Sequence, residues 1–415
     1  MTEKNASFDV IILGAGAAGL FCAAEAGRRG KRVLLLDHAD RIGKKILISG
    51  GGRANFTNLH TRPENFLSEN PHFAKSALAA FTPADMIALV EKHRIPYHEK
   101  TLGQLFCTRS AQDLVKLLAD ECAASHVTIQ TNTRITAVSR PSHFRVDTES
   151  ASGTGSGRTG PATFTAPALV VATGGLSIPK MGATGFGHDI ATQFGLNLIP
   201  TRPALVPLVF SPEDTANWCD LSGLSAEVIV QASTAPTAKG PRSTKTKPPA
   251  FREKALITHR GLSGPAILQI SSYWHPGHPI TLDLAPHQTI TAPLLTPNTR
   301  RDLPAVAATL RLLPTRLANR WLEVYPPEAF TNAALNRFEY SLHNWSLTPA
   351  GTEGYAKAEV TAGGVDTAEL DARTLESRKV PGLYFVGEVV DVTGWLGGYN
   401  FQWAWSSAAH AARDL

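Results

Sequence analysis

The feature that most constrains this chain is a glycine-rich turn near its start. The apolar run 8–13 leads directly into the sequence GAGAAG at 14–19, which an alanine-rich segment follows. A second apolar run, 33–36, ends at the acid Asp37. A GxGxxG turn between a strand and a helix, with an acid at the end of the next strand, is typical of dinucleotide-binding folds. The sequence therefore predicts a βαβ unit with a parallel sheet that binds a dinucleotide.

Each glycine of this turn has a separate mechanical role. Gly14 permits the tight turn, Gly16 lets the backbone approach a pyrophosphate, and Gly19 lets the helix pack closely against the strand. The free N–H groups at the helix start face the phosphates. We expect the Asp37 carboxylate to accept hydrogen bonds from a ribose.

The last part of the chain indicates which dinucleotide is bound. The apolar run 383–386 is followed by Glu388, by the glycines Gly397 and Gly398, and by a predicted helix from about Tyr399. In two-dinucleotide flavoproteins such a late strand rejoins the first sheet and its acid holds the ribitol. The next helix points its N-terminus at the flavin ring, where it stabilises the negative charge of the reduced flavin. A nicotinamide enzyme does not need this strand and helix, so we expect FAD as the tightly bound cofactor.

Two further segments are predicted to contact FAD. The run 169–175 is a strand that ends in a turn of small residues, and the loop 43–58 carries cations beside the glycines 50–52. Cations neutralise phosphates, and a glycine backbone can lie against a flat ring. The predicted FAD contacts are Gly14, Gly16, Ala17, Ala18, Gly19, Asp37, Lys44, Lys45, Gly52, Arg53, Val138, Ala172, Thr173, Gly174, Glu388, Gly397, Gly398, Asn400 and Phe401.

Composition limits the class of protein. The chain has 415 residues, 43% hydrophobic and 18% charged, which is enough for two or three domains with sizeable cores. We expect neither a signal peptide nor a membrane span. The four cysteines have neither metal nor CxxC spacing, which indicates free thiols in the cytoplasm and argues against a metal site or a disulfide reductase. The net charge of +5 weakly favours a polyanionic partner.

The periodicity changes along the chain. Residues 148–163 are rich in Gly, Ser and Thr and are predicted to join two strands loosely. Short alternating runs from about 200 to 290 indicate antiparallel β structure, and 298–346 have helical periodicity. The segment 233–250 is either a solvated hairpin tip or a flexible basic finger that touches phosphates. Its cations are Lys239, Arg242, Lys245 and Lys247.

Four separated segments resemble the BaiN/RdsA-type FAD-dependent oxidoreductases. They are SGGGRANFTN at 49–58, ATGG at 172–175, THRGLSGP at 258–265 and GWLGGYNFQWAWSS at 394–407. The sequences YHEKTLGQLFC at 97–107 and SSYW at 271–274 place the resemblance closest to the RdsA branch.

The resemblance implies an α/β protein whose two-dinucleotide-type, Rossmann-like FAD-binding domain is interrupted by two others. The predicted FAD-binding domain comprises 1–198 and 349–415. A β-barrel-like insertion on the substrate side is predicted for 199–297, and a small helical domain for 298–348.

The family's activities are reductions of conjugated C=C bonds. The RdsA branch is associated with dihydrouridine in 23S ribosomal RNA, and the BaiN branch with unsaturated 3-oxo bile-acid intermediates. We therefore expect a reductase of the C5=C6 bond of a uridine in 23S rRNA. NAD(P)H would serve as the transient electron donor without a dedicated domain, because the chain has no second GxGxxG. The alternatives are a small-molecule enone reductase, a non-catalytic FAD-binding ribosome assembly factor, and an oxidase of small amines.

Reduction of uracil needs an acid as well as a hydride. Hydride is expected at C6, a proton must reach C5, and donors should hold the developing enolate oxygen. The candidate acids are Cys107, His259, Tyr399 and His98. Three of them have a structural alternative: Cys107 as a small buried residue, Tyr399 as a wall of the flavin pocket, and His98 as a surface histidine. Arg260 would hold a carbonyl, a phosphate or a neighbouring carboxylate.

Two further features bear on activity. Ala54 stands where the family usually has cysteine, so 54 is either a packing position beside FAD or a lost acid. The late aromatic residues offer surfaces on which a flipped base can stack, and we expect one or two near the substrate with the rest buried. They are Trp395, Tyr399, Phe401, Trp403 and Trp405.

Overall fold

The computed structural model describes residues 6–150, 161–233 and 248–415, and the chain divides into two compact units. The first unit comprises Met1–Arg202 and Val360–Leu415, and the second comprises Pro203–Glu359. The second unit extends beyond the predicted boundary at 348, because a short strand at Gly351–Thr352 pairs within its sheet. It includes residues 203–297 of the segment predicted as barrel-like and all of the segment predicted as a small helical domain.

The strands are short and distributed along the whole chain. In chain order they are β1 (Ala6–Ser7), β2 (Val10–Leu13), β3 (Val33–Leu36), β4 (Asn55–Asn58), β5 (Phe66–Leu67), β6 (Tyr97–Glu99), β7 (Gln104–Cys107), β8 (Thr128–Gln130), β9 (Thr133–Ser139), β10 (Phe144–Ser150), β11 (Ala162–Ala166), β12 (Ala168–Val171), β13 (Leu198–Ala204), β14 (Leu208–Val209), β15 (Ser225–Ala232), β16 (Phe251–Ile257), β17 (Gly261–Ser263), β18 (Ile280–Asp283), β19 (Trp345–Leu347), β20 (Gly351–Thr352), β21 (Val360–Val365), β22 (Leu383–Phe385) and β23 (Thr393–Gly394).

The helices are α1 (Ala17–Arg28), α2 (Lys44–Ile48), α3 (Lys75–Ala80), α4 (Pro83–Lys92), α5 (Ala111–Ala124), α6 (Phe186–Gln193), α7 (Pro212–Trp218), α8 (Pro265–Ser271), α9 (Leu303–Thr309), α10 (Thr315–Val324), α11 (Asn332–His343) and α12 (Tyr399–Asp414). Among the described residues, none of these helices is long and apolar enough to cross a membrane.

A five-stranded parallel sheet forms the centre of the first unit. Its order is β22-β12-β2-β3-β8, and every neighbouring pair is parallel. All residues of β2, β3 and β22 are buried, as expected for strands covered on both faces. Because β22 pairs with β12, the late strand rejoins the first sheet as predicted and this unit is discontinuous in sequence.

Smaller sheets and helices surround this centre. Helix α1 packs against α5 and α12, and the Phe21 ring meets Trp405 edge-on at 5.7 Å. Strands β4, β7 and β6 form a three-stranded antiparallel sheet beside α12. The loop predicted between two strands joins β10 and β11, which are antiparallel neighbours; residues 151–160 of it lie outside the described residues.

The second unit is built on a seven-stranded antiparallel sheet of order β19-β18-β15-β16-β17-β14-β20. This sheet and the helices α9–α11 confirm the predicted change from β to helical periodicity. Residues 348–350 join the two edge strands, but the pairings recorded in the described part of the chain do not close the sheet. A barrel-like form and a separate helical domain therefore stay predictions. The cations of the basic segment 233–250 lie at 239–247, outside the described residues.

Candidate flavin-binding site

The turn before α1 has the geometry that the glycine spacing predicts. Gly14 has a φ of +103°, and a Cβ there would lie 2.6 Å from the Ala172 carbonyl oxygen. A Cβ on Gly19 would overlap the Gly14 carbonyl oxygen. Both positions therefore exclude a side chain because backbone segments of β2, α1 and β12 approach each other.

Gly16 differs from its two neighbours in having empty space around it. No atom lies within 4 Å of where its Cβ would be, and it begins α1 without a capping side chain. The first turn, with Ala17 and Ala18, contains no acid. Uncapped N–H groups next to open space are what a phosphate requires at a helix N-terminus.

Asp37, at the end of β3, is tied to this turn. One carboxylate oxygen accepts a hydrogen bond from the Ala15 N–H at 2.6 Å, and the other accepts from Ala39 N–H at 2.7 Å. Each carboxylate oxygen has a second lone pair, so both can still accept from a ribose hydroxyl. The two hydrogen bonds hold the Asp37 side chain beside the glycine turn at 14–19.

Glu388 lies at the centre of a polar network rather than alone at a strand end. Its carboxylate pairs with Lys45 Nζ at 2.8 Å and accepts hydrogen bonds from the Ser177 hydroxyl at 3.1 Å and the Thr361 N–H at 2.9 Å. Lys45 Nζ also donates to Ser177 Oγ at 2.5 Å. The structure thus brings together two predicted cofactor contacts, Lys45 and Glu388. Lys44 instead pairs with Asp40 at 2.9 Å.

The turn after β12 presents an open edge. Ala172 N–H donates to the Leu13 carbonyl at 2.9 Å, which fixes the start of the turn against β2. The Thr173 hydroxyl is buried and has no hydrogen-bond partner recorded among the described residues. Gly174 has a φ of +76° with no atom within 4 Å of its Cβ position. The Thr173 hydroxyl lies on the opposite side, where a Cβ on Gly187 would overlap it, so the space for a ligand at this turn is at Gly174.

The start of α12 is held by protein contacts. Gly398 has a φ of +97°, and a Cβ there would overlap the Thr57 carbonyl oxygen; at Gly397 it would lie 2.9 Å from Gln104. The Asn400 amide accepts from Gly394 N–H at 2.8 Å and donates to the Gly394 and Trp395 carbonyls at 2.9 and 3.2 Å. No side chain caps this helix, and its first turn has no acid.

The late aromatic residues fall into two groups. Trp403, Trp405 and Tyr399 are buried, and the two indole N–H groups donate to the carbonyls of Gly387 and Phe56. Trp395 and Phe401 are half-buried, and Phe401 stacks on Trp405 at 5.5 Å. The prediction that most of them are core residues is therefore confirmed.

The loop 49–54 has an unusual backbone. The glycines at 50, 51 and 52 have φ of +55°, +67° and +83°, and Ala54 also lies in the left-handed region with a φ of +45°. The Ala54 side chain is fully buried, which supports the packing interpretation of this position. Arg53 is exposed, and no ion pair is recorded for it within the described ranges.

Two candidate acids of the first unit are buried. Cys107 is fully enclosed at the end of β7, and burial raises the pKa of its thiol to about 12. A thiol in that environment is a weak proton donor, so the structure favours its alternative role as a small buried residue. Tyr399 is 7% exposed, with its ring 6.3 Å from Phe66 and 6.2 Å from Trp395. That environment favours the role of a pocket wall.

The histidine candidates lie in different units. His98, on β6, is half-buried, stacks on Phe106 at 6.1 Å and has its Nδ1 3.3 Å from the Thr108 hydroxyl. His259 is an exposed residue of the second unit, in the turn between β16 and β17. The Thr258 hydroxyl accepts hydrogen bonds from the N–H groups of Arg260 and Gly261 and shapes that turn. Arg260 lies 3.9 Å from Glu353, and its side chain is 55% exposed.

Sequence reasoning missed two residues of this region. Ser177 follows the predicted ATGG turn by two residues, so that turn marks its neighbourhood. Thr361 lies in β21, in a segment without a motif, and nothing in the sequence indicated its contact with Glu388. Val138, a predicted contact on β9, is buried, and its carbonyl accepts a hydrogen bond from Gln193 Nε2 at 2.6 Å.

The first unit fits FAD on its own geometry. The open, uncapped start of α1, the open turn at Gly174 and the polar network at Glu388 follow β2, β12 and β22, which are neighbouring strands of one sheet. In the Rossmann fold the pyrophosphate lies at the start of the first helix, here α1, and the ribose lies next to the acid at the end of the second strand, here Asp37. No cluster of three or more His, Cys, Asp or Glu suited to a metal occurs in the part of the chain that the structure describes.

Comparisons with known proteins agree with this fold. Residues 8–414 match the family described as HI0933-like protein Rossmann domain. The chain is 48% identical to the ribosomal RNA dihydrouridine synthase of Escherichia coli K12 and 44% identical to that of Haemophilus influenzae, in each case over 98% of both chains. It is 29% identical to the 3-dehydro-bile acid delta(4,6)-reductase of Clostridium scindens over 97% of both.

A solved structure shares the fold. The 3-ketosteroid-Δ4-(5α)-dehydrogenase of Rhodococcus jostii, in complex with 4-androstene-3,17-dione, superimposes with a TM-score of 0.50 at 15% identity. The match covers 99% of this chain and 98% of that one.

Proposed function

This chain belongs to the HI0933-like Rossmann family, and on that premise we propose that it modifies ribosomal RNA. It reduces the C5=C6 bond of a uridine in 23S rRNA to dihydrouridine, with FAD as cofactor and NAD(P)H as reductant. The observation that carries the proposal is the match, over nearly the whole chain, to two proteins named ribosomal RNA dihydrouridine synthase. An FAD-compatible first unit supports the same conclusion.

The residues that would hold FAD follow from the site. The N–H groups at the start of α1 would bind the pyrophosphate beside Gly16, Asp37 would accept a hydrogen bond from the adenosine ribose, and Glu388, oriented by Lys45, would accept one from the ribitol. FAD supplies the two-electron chemistry that carries hydride between a nicotinamide and a conjugated double bond. The positive end of α12 favours negative charge near its first turn.

The exposed turn between β16 and β17 supplies the groups that handle the substrate. His259 donates a proton from its ring to C5 of the uracil, and Arg260 holds the C4 carbonyl oxygen or a neighbouring phosphate. Both side chains are exposed, unlike Cys107 and Tyr399, so both can touch a large substrate. Arg260 has five N–H donors, enough to remain near Glu353 while it binds an oxygen.

The test is the dihydrouridine content of 23S rRNA, measured by mass spectrometry of nuclease fragments from cells with and without the gene. We expect deletion to remove one dihydrouridine, which the wild-type gene restores and a Gly16→Val copy, unable to hold FAD, does not. An unchanged content would refute the RNA activity.

A second candidate function is the reduction of small enones. The full-length similarity to a protein named as a bile-acid reductase favours it, since an unsaturated 3-oxo steroid and uracil both present a C=C bond conjugated to a carbonyl. Turnover of such a steroid by the purified holoenzyme, with rRNA unaffected, would establish this alternative. If no nicotinamide reduces the bound flavin and no substrate reoxidises it, the protein would instead be a non-catalytic assembly factor.

A further inference from the structure

Two adjoining turns of the first unit carry exposed leucines. The turn 58–62 follows β4, and the turn 100–103 joins β6 to β7. Leu59 is 44% exposed and Leu102 is 60% exposed. The Leu59 N–H donates to the Gly103 carbonyl at 2.9 Å, so the two turns lie side by side. We call residues 58–62 and 100–103 together the leucine rim.

The leucine rim is built to hold Leu102 in an unfavourable backbone conformation. Leu102 has a φ of +53°, in the left-handed region that residues with a Cβ rarely occupy. The Asn58 side-chain amide donates to the Leu102 carbonyl at 3.1 Å, and the same amide oxygen accepts from the His60 N–H at 2.9 Å. Such strain persists only where the surroundings enforce it, and it clusters at functional sites.

Asn58 also connects the leucine rim to the start of α12. Its amide donates to the Gly397 carbonyl at 2.8 Å, and Asn58 itself is 1% exposed. Gln104, the residue after the second turn, lies against Gly397. The rim is therefore rigidly joined to the glycine turn that is predicted to face the flavin.

The cations around the leucines are exposed, and one of them meets an aromatic ring: Lys100 Nζ lies 5.6 Å from the centre of the Phe106 ring. Arg62 and Lys100 are exposed on the two turns, and neither has an ion pair recorded among the described residues. Many other cations of the first unit are paired, as Arg28, Arg109 and Lys116 are. Two acids flank these turns: Glu99 accepts a hydrogen bond from the Gly103 N–H at 3.1 Å, and Glu64 is exposed two residues after Arg62.

We propose that the leucine rim receives the RNA around the target uridine. Leu59 and Leu102 contact the faces of flanking bases, and Arg62 and Lys100 contact phosphates. Proteins that extrude a base insert apolar side chains between base steps and neutralise the backbone with cations. The inference rests on the proposed function, since it gives that site its RNA-contacting surface.

The test uses holoenzyme whose flavin is first reduced with dithionite in the absence of oxygen, so that the nicotinamide plays no part. Unmodified 23S rRNA transcript is added, and dihydrouridine formed in a single turnover is measured against RNA concentration. We expect Leu102→Ser to raise the RNA concentration needed for half-maximal rate about tenfold, the effect of losing the burial of one apolar side chain. Flavin content and the flavin spectrum stay unchanged, and Leu102→Met restores most of the affinity.

Matched variants separate contact from folding. Leu312 is 64% exposed in the second unit, and Leu312→Ser should leave the RNA dependence unchanged. Leu102→Gly removes the side chain and relieves the left-handed strain, so it serves if the serine variant does not fold. Lys100→Ala should reduce the slope of log affinity against log salt by about one.

The outcomes distinguish the two proposals. If wild-type enzyme forms no dihydrouridine in RNA, the proposed function fails and the rim proposal fails with it. If the wild type is active and Leu102→Ser and Leu102→Gly both match it, only the rim proposal is overturned. A change in oligomeric state with RNA affinity unaltered would also overturn it, because the leucines would then cover a contact between copies.

Discussion

Helices α1 and α12 both begin at a glycine, Gly16 and Gly398, and neither start has a capping side chain or an acid in its first turn. Their surroundings differ. Gly16 has extended backbone angles and empty space around it, whereas Gly398 has a φ of +97° and touches the carbonyl of Thr57 on β4. One glycine leaves room for a ligand, and the other lets two backbone segments of the protein meet.

This difference shows which contacts position the start of α1 and which position the start of α12. The first is set by neighbours in sequence, because the 14–19 turn needs only the strands beside it. The second depends on a strand that is remote in sequence and on the Asn400 side chain, which closes the 394–395 turn. Substitutions at the first start should therefore affect ligand binding, and those at the second should affect folding.

The largest effect is expected for Gly398→Ala. The new Cβ would overlap the Thr57 carbonyl on a left-handed backbone, so the free energy of unfolding should fall by at least about 3 kcal/mol. The measurement is the urea midpoint of the first unfolding transition of the FAD-free protein. Gly30→Ala is the control: Gly30 has a φ of +83° but open space, so it should lose only about 1–2 kcal/mol. Equal losses would show that the left-handed backbone, and not the contact with the Thr57 carbonyl, explains the loss of unfolding free energy in Gly398→Ala.

Gly16→Val should separate ligand binding from folding. The φ of −83° and ψ of −165° at Gly16 suit valine, but valine is a poorer N-cap than glycine, so the free energy of unfolding of the FAD-free protein should fall by only about 0.5–1 kcal/mol. The side chain fills the space for the pyrophosphate, and the dissociation constant for FAD should rise at least about a hundredfold, or about 2.7 kcal/mol. Flavin fluorescence titration measures this, and wild-type affinity would place the pyrophosphate elsewhere.

Asn400→Ala tests how far the start of α12 depends on its side chain. The variant loses the three hydrogen bonds that hold residues 394 and 395, and the free energy of unfolding should fall by about 2 kcal/mol. Asn344→Ala, which loses one hydrogen bond to Tyr340, should lose about 0.5 kcal/mol when measured in the same urea titration. A smaller loss for Asn400→Ala than for its control would contradict the assigned role.

The smallest effect is expected for Lys45→Met. The Lys45 side chain is 39% exposed and that of Glu388 is 20% exposed, so solvent screening limits the loss of unfolding free energy to about 1 kcal/mol. In a double-mutant cycle with Glu388→Gln, the double variant should lose less unfolding free energy than the sum of the losses in the two single variants. Strict additivity in thermal or urea unfolding would mean that the ion pair contributes nothing.

What the sequence could predict depended on distance along the chain. The roles of Gly14, Gly16 and Gly19, the parallel strands and the return of β22 followed from local patterns and from the topology they permit. The partners of Glu388 did not, since Lys45 is 343 residues away and Ser177 is 211 residues away. The prediction that Asn400 contacts the cofactor stays a prediction, and the role of its amide in closing the 394–395 turn was not foreseen.

The candidate acids illustrate the same limit in chemical terms. Residue type alone makes Cys107 and Tyr399 suitable donors, but exposure decides whether a donor reaches a substrate, and exposure follows from packing. Burial encloses Cys107 and raises the pKa of its thiol to about 12. Nothing in the sequence marked Leu102 as a functional residue. Its left-handed backbone conformation is imposed by Asn58, which lies at the end of β4.

During translation, β2, β3, β8 and β12 emerge long before β22 and α12. Domains made first generally fold first, yet here the edge of the parallel sheet at β12 has no partner strand until the whole second unit has been synthesised. A nascent chain that pauses within the second unit contains the glycine turn at 14–19 but neither Glu388 nor α12. We therefore expect cofactor loading to follow synthesis of the second unit.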